Sequence, residues 1–211
     1  LSKVNVTVVV STAICLLPEE PMARRREDWR VGYFSTPATI YNDHQQKVEH
    51  TNYVTRWRLE PSDPEAYMRG ELTEPVKSIT FYIGGAVPQH LRPYITKGIL
   101  DWNKAFEHAG FKNAVKVVVP DDTTDVEGDD MRYSVLTYAA SEKANAMGPS
   151  TIDPRTGEIL EADIIWWHNV QSLISEWIVV QTGAEDSRAR SLEHPIELIG
   201  DAVRFVACHE A

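Results

Sequence analysis

Apolar and polar positions set out most of the fold before any chemistry is considered. Near the start, Val4, Val6, Val8 and Val10 alternate with Asn5 and Thr7. That period of two predicts a β-strand over 4–17. With Lys3 ahead of it, the same run could pass for a signal-peptide apolar region. The alternation, and bulky Ile14 ahead of Cys15, favour the strand. A polar connector follows over 18–30, with a charge run at 24–28 that reads as a solvated face. Further strands are expected over 31–40, 52–59 and 76–83, with a Pro-rich turn at 61–64. The clearest helix spans 89–110, where Leu91, Tyr94, Ile95, Ile99, Trp102, Ala105, Phe106 and Ala109 make an apolar stripe and Gly110 closes it. Strands over 114–119, 133–138 and 162–167, a turn at 153–157 and a helix over 169–182 come next. From Pro195 onward, Leu198, Ile199, Ala202, Val203, Phe205 and Val206 recur at helical spacing. This last helix carries no C-terminal Gly, Lys, Arg or Pro as a stop signal, and it reads as running off the end. A strand opening at residue 1 likewise suggests a preceding segment. The order of strand, long helix, several strands and two helices predicts an α/β (α+β) layer arrangement around a mixed sheet, because the last strands follow one another too closely for helical crossovers.

Composition narrows the function classes. The chain has 211 residues, 43% hydrophobic and 25% charged, as an ordinary globular protein has. That length suits one large domain, alone or with a short appendage. With 21 Lys+Arg against 31 Asp+Glu the net charge is -10. This argues against a nucleic-acid partner, which calls for a basic footprint, and gives no electrostatic reason to sit on an anionic membrane. No apolar run reaches the ~20 residues of a spanning helix. Cys15 and Cys208 leave room for one bridge, but free buried thiols are the simpler expectation.

Four features could carry chemistry. His209-Glu210 on the last helical turn is the first half of an H-E-x-x-H arrangement, in which two His one turn apart bind zinc and the Glu acts as general base. As an isolated dipeptide it is also what any surface pair looks like. The acidic loop over 121–130 could hold calcium, although it lacks EF-hand spacing and reads more simply as solvated, with Asp130 bonding locally. His44, His50, His90, His108, His168 and His194 show no i, i+4 pair on one helix and read as structural or exposed. Ala144, Asn145, Ala146, Met147 and Gly148, followed by Pro149, have the small-residue, Gly and Pro character of an edge strand able to add an extended peptide to a sheet, or of an ordinary loop. No G-x-S-x-G, P-loop or G-x-G-x-x-G occurs.

Several stretches together resemble a known family. DWRVGYF at 28–34, RWRLE at 56–60 and EPVKSITFYI at 74–83 fit it, as do RPYITKGILDWNKAFEHAGFKNAV at 92–115, DDMRYSVLTY at 129–138 and NAMGPSTIDPRTGEILEADIIWWHN at 145–169. They look like the large zinc-dependent metallopeptidases of Gram-negative bacteria whose catalytic domain is metzincin-like. The resemblance implies that 28–211 is the N-terminal part of such a catalytic domain: a twisted mixed sheet with a backing helix and an active-site helix. Residues 1–27 would be the tail of a preceding β-rich region with its connector. It further implies that His209 is the first zinc ligand, Glu210 the general base, and 144–148 the upper-rim strand that pairs with a bound peptide or protein substrate.

The other zinc ligands, the Gly of the turn and the Met-turn of that family would lie beyond Ala211. Zinc hydrolysis takes three protein ligands and a water, so a chain offering one imidazole is expected to bind no zinc and cleave no peptide. The same reading expects an uncovered face of the terminal helix near Phe205 and Val206, open to self-association, and a periplasmic or secreted location. A non-catalytic peptide- or glycan-binding module on the same fold is the alternative.

Overall fold

The alternation before Gly84 forms the centre of the molecule. The computed structural model describes residues 7–120, 126, 128–191 and 193–211. In it, β4 (Ile79–Ile83) turns Ile79, Phe81 and Ile83 into the core. β5 (Val115–Val118) and β6 (Ser134–Ala139) flank β4 in parallel. β10 (Ile164–Trp167) lies parallel to β6, and β7 (Ala146–Met147) ends the order β5-β4-β6-β10-β7 as an antiparallel edge. Parallel neighbours need a long crossover. Between β4 and β5 it is made by α2 (Arg92–Leu100) and α3 (Trp102–His108). α4 (Val170–Trp177) and α5 (Ile196–Glu210) complete the helical layer. Ile95, Ile99, Ile174 and Val203 from the helices pack with Phe81, Leu136, Ile164 and Trp166 from the sheet in one core.

Two smaller sheets lie outside this layer pair. β1 (Ser35–Ile40) and β2 (Glu49–Val54) form an antiparallel hairpin. β3 (Arg56–Trp57) pairs in parallel with β9 (Glu158–Ala162), and β8 (Ser150–Asp153) pairs antiparallel with β9. The chain is thus a mixed α/β structure of several sheets and helices. The connector follows the small sheets closely. Arg56 donates to the Ala23 carbonyl at 2.6 Å, Arg58 to Glu20 at 2.8 Å and Arg155 to Pro18 at 2.8 Å.

The structure corrects several expectations. Residues 7–17 form no strand, and Val9 is 92% exposed. The alternation there has no sheet face to satisfy it within the described residues, and 1–6 lie outside them. The long helix is two helices meeting at Asp101, and its stripe fades in α3, where Ala105 and Ala109 are exposed. Gly110 does close it, at φ +91°. The hairpin of β8 and β9 and the short α1 (Pro64–Met68), capped by the Asp63 carboxylate on the Ala66 N–H at 2.9 Å, were hidden by polar sequence. The turn between β8 and β9 falls where expected, with Gly157 at φ +77°. Both cysteines are free, but Cys15 is exposed rather than buried. On the terminal helix Phe205 is 67% exposed, whereas Val206 is in the core. Most of the acidic loop (121–125 and 127) lies outside the described residues.

What positions α5 is its close crossing of α2. An added Cβ on Gly98 would sit 2.3 Å from the Arg204 carbonyl oxygen and 2.9 Å from the Ala207 Cβ. On Gly200 it would meet the Tyr94 ring at 2.1 Å. Asp101, at the joint between α2 and α3, takes both guanidinium nitrogens of Arg204 at 2.6 and 2.7 Å. The Trp102 indole donates to the Cys208 carbonyl at 2.8 Å, pinning the last turn. Replacing Gly98 with Ala therefore opposes a helix-propensity gain of up to ~1 kcal/mol with a backbone clash of the kind that costs about 1–3 kcal/mol. Urea denaturation should show Gly98→Ala less stable than wild type by about 1–2 kcal/mol, while Gly85→Ala, whose Cβ meets nothing within 4 Å, changes little. Equal stability of the two variants would contradict this packing.

Candidate active site

The site begins at the free edge of the main sheet. β7 pairs with β10 through Ala146 opposite Trp166 and Met147 opposite Ile165. The strand is shorter than the expected 144–148, since Pro149 has no N–H to continue a ladder. Single backbone bonds extend the pairing on both sides: Trp167 N–H to the Asn145 carbonyl at 3.3 Å and Asp163 N–H to the Pro149 carbonyl at 3.0 Å. Ala146 is buried, whereas Ala144, Asn145, Met147 and Gly148 are exposed. Among the described residues the outer side of β7 has no partner strand in its sheet.

At the Gly148 end this edge meets the end of α5. A Cβ on Gly148 would lie 2.2 Å from the Glu210 carbonyl oxygen. The Gly148 N–H lies near enough to the Glu210 carboxylate to favour its charged form. Burial pushes the Glu210 carboxyl above its ordinary range, while the His209 charge and the Gly148 N–H pull the other way. His209 itself is exposed. The structure thus brings the two expected features, the edge segment and the His-Glu pair, into direct contact.

At the Asn145 end stands a polar group that the sequence did not single out. The Tyr138 hydroxyl and His168 Nδ1 are 2.6 Å apart, and Gln171 donates to the same hydroxyl at 3.1 Å. The Lys143 ammonium lies 3.7 Å from the centroid of the Trp167 ring. A Tyr and a His at the ends of two strands carry no sequence spacing that would pair them; only the parallel register of β6 and β10 does so.

The metal ligation expected of His209 needs partners. Among the described residues no group of three or more His, Cys, Asp or Glu could hold a metal ion. Among the described residues His209 stands without the further ligands that a three-ligand zinc site calls for. Asp130, in the described end of the acidic loop, is engaged by the backbone N–H of Arg132 at 3.0 Å and by its guanidinium at 2.9 Å, which makes the local bond expected of it. No helix among the described residues is long and apolar enough to cross a membrane.

A family model described as a domain of unknown function (DUF5117) matches residues 1–62, covering the connector and β1 to β3. No curated protein and no solved structure matches the chain.

The contact at Gly148 generates a test. Gly148→Ala should drive the edge away from the helix end, lowering stability by about 1–3 kcal/mol. Deprived of the Gly148 N–H, the Glu210 carboxyl should titrate at higher pH than in wild type, read by carboxyl carbon NMR. An unchanged Glu210 midpoint would count against the contact.

Proposed function

We propose that this chain is the N-terminal part of a metzincin-like catalytic domain in a zinc-dependent metalloendopeptidase, with His209 as one metal ligand and Glu210 as general base. The observation that carries this reading is the meeting of Gly148 with Glu210. It sets an unpaired sheet edge, suited to an extended peptide, against a partly buried carboxylate beside an imidazole. Support also comes from the helical layer, α2 among its helices, that packs on the sheet in one core.

In this reading the chain's own groups do two things. The outer backbone of β7 holds the substrate strand by N–H and C=O bonds, as in β-augmentation. The Glu210 carboxylate, its proton affinity raised by burial, accepts a proton from the attacking water and passes it toward the leaving amine. Zinc, held in part by His209 in a protein that completes the ligand set, would supply charge for the scissile carbonyl and would lower the pKa of the water. The described residues provide one ligand of that set, so no further step is assigned to them.

The test uses the protein as its gene encodes it. The reading requires a His at the second position after Ala211 and another six positions further on. It also requires stoichiometric zinc and hydrolysis of an unstructured protein substrate. Glu210→Gln should keep the zinc and lose roughly 10²–10⁴-fold in kcat. Zinc-free protein, or an undiminished Glu210→Gln variant, would overturn the proposal. Peptide binding without hydrolysis would leave the non-catalytic binding module. The 211-residue chain alone should bind zinc no better than a His209→Ala variant of itself.

A further inference from the structure

Where β9 leaves the small sheet and β10 enters the large one, a carboxyl group is buried beside another carboxyl group. Glu161, the fourth residue of β9, is 7% exposed. Counted as a carboxylate, its Oε1 has no hydrogen-bond partner. Its carboxyl lines one cavity together with the Asp163 carboxyl and Thr151 of β8. Two carboxylates cannot bond each other without a proton between them, and an orphaned charged oxygen at this depth is costly. The two are not equivalent. Asp163 Oδ1 accepts the Val135 N–H at 2.8 Å. The Oε1 of Glu161 has no such donor.

The surroundings offer negative charge on one side and occupied cations on the other. A cavity of about 260 Å³ beside Glu161 and Asp163 is lined also by Asp129 and Asp130 from the loop ahead of β6. A cleft of about 690 Å³ opens on the other side of Glu161, between the small sheet and the outer face of the large one. There Arg58 is bound to Glu158 at 2.6 Å, and Arg132 engages Asp130. Lys116 of β5, with Glu74 and Lys77 ahead of β4 and Glu60 after β3, completes the charged lining. Desolvation, followed by the Asp163 carboxyl, pushes Glu161 up to about 7.

We propose that Glu161 and Asp163 share one proton, with Glu161 as donor, and that this pair is a pH-sensitive latch joining the small sheet to the large one. The backbone at the pair makes the cross-sheet bonds. Ala162 N–H donates to the Ser134 hydroxyl at 3.0 Å, and Asp163 N–H to the Pro149 carbonyl at 3.0 Å. Pro149 directly follows the edge segment, so loosening the latch loosens the edge. The latch is independent of whether that edge serves a peptidase.

The sign follows from linkage. A carboxyl whose folded-state pKa exceeds its unfolded value near 4.5 stabilises the fold fully below that value. The contribution is lost as pH rises toward about 7, and above that the two charges repel. Thermal unfolding of the chain and of Glu161→Gln, from pH 4.5 to 8, separates this titration from all others. The amide can donate to Asp163 at every pH. The wild type should therefore lose Tm relative to Glu161→Gln by roughly 5 °C across that range, and a carboxyl carbon signal of Glu161 should titrate well above 5. Parallel Tm profiles for the two proteins, or a Glu161 midpoint near 4.5, would overturn the proposal. So would calcium at pH 8 restoring the wild type but not Glu161→Gln, which would make the pair a cation site instead.

Discussion

The crossing of α5 over α2 is the constraint on which the rest depends. Two glycines, Gly98 on one helix and Gly200 on the other, let the backbones approach until a methyl group would collide with a carbonyl or a ring. Asp101 then fixes the angle by taking the Arg204 guanidinium with both oxygens, and the arginine in turn holds the aspartate well below the usual carboxylate range. Surface pairs of this kind contribute little by themselves. Their value here is geometric, since they set the rotation of a 15-residue helix whose final turn carries His209 and Glu210. The same joint breaks the long helix predicted from the apolar stripe, and the Trp102 indole beside it reaches the Cys208 carbonyl.

From that fixed helix the edge of the sheet takes its meaning. At Gly148 the edge segment meets the helix end so closely that no side chain fits between it and the Glu210 carbonyl. The contact serves two ends. It stops β7 from drifting as a short, weakly paired edge strand would, and it gives Glu210 a backbone donor while burial raises its proton affinity. The small sheet supports the same edge from below through Asp163 and Pro149.

Much of this was legible in the sequence, and the failures have physical reasons. Period-two alternation over 76–83 and the apolar spacing of α5 pointed to the central strand, formed over 79–83, and to the last helix, because both bury one face against a single core. The edge segment was readable from small residues ahead of Gly148-Pro149, and the His-Glu pair from its dipeptide; their contact was not, since it arises from the helix crossing. β8 and β9 were missed because Ser150, Asp153, Glu158 and Glu161 place polar groups at strand positions, with Asp153 engaged in a turn and Glu158 in an ion pair. The valine alternation before residue 17 misled for the opposite reason. It has strand periodicity, yet no neighbouring strand is present for 7–17 among the described residues. The Tyr138–His168 contact carried no sequence signal, because two residues thirty positions apart become neighbours only through strand register.

α5 and the sheet edge are held together where Gly148 meets Glu210 on the last turn of α5. Amide hydrogen exchange at Gly148 reports on that contact directly, because the outward N–H groups of a free edge exchange at nearly unprotected rates. The Gly148 amide should be slow in the wild-type chain and become fast in Glu210→Ala, while the core amides of β4 keep their protection. A Gly148 amide already exchanging freely in the wild type would contradict it.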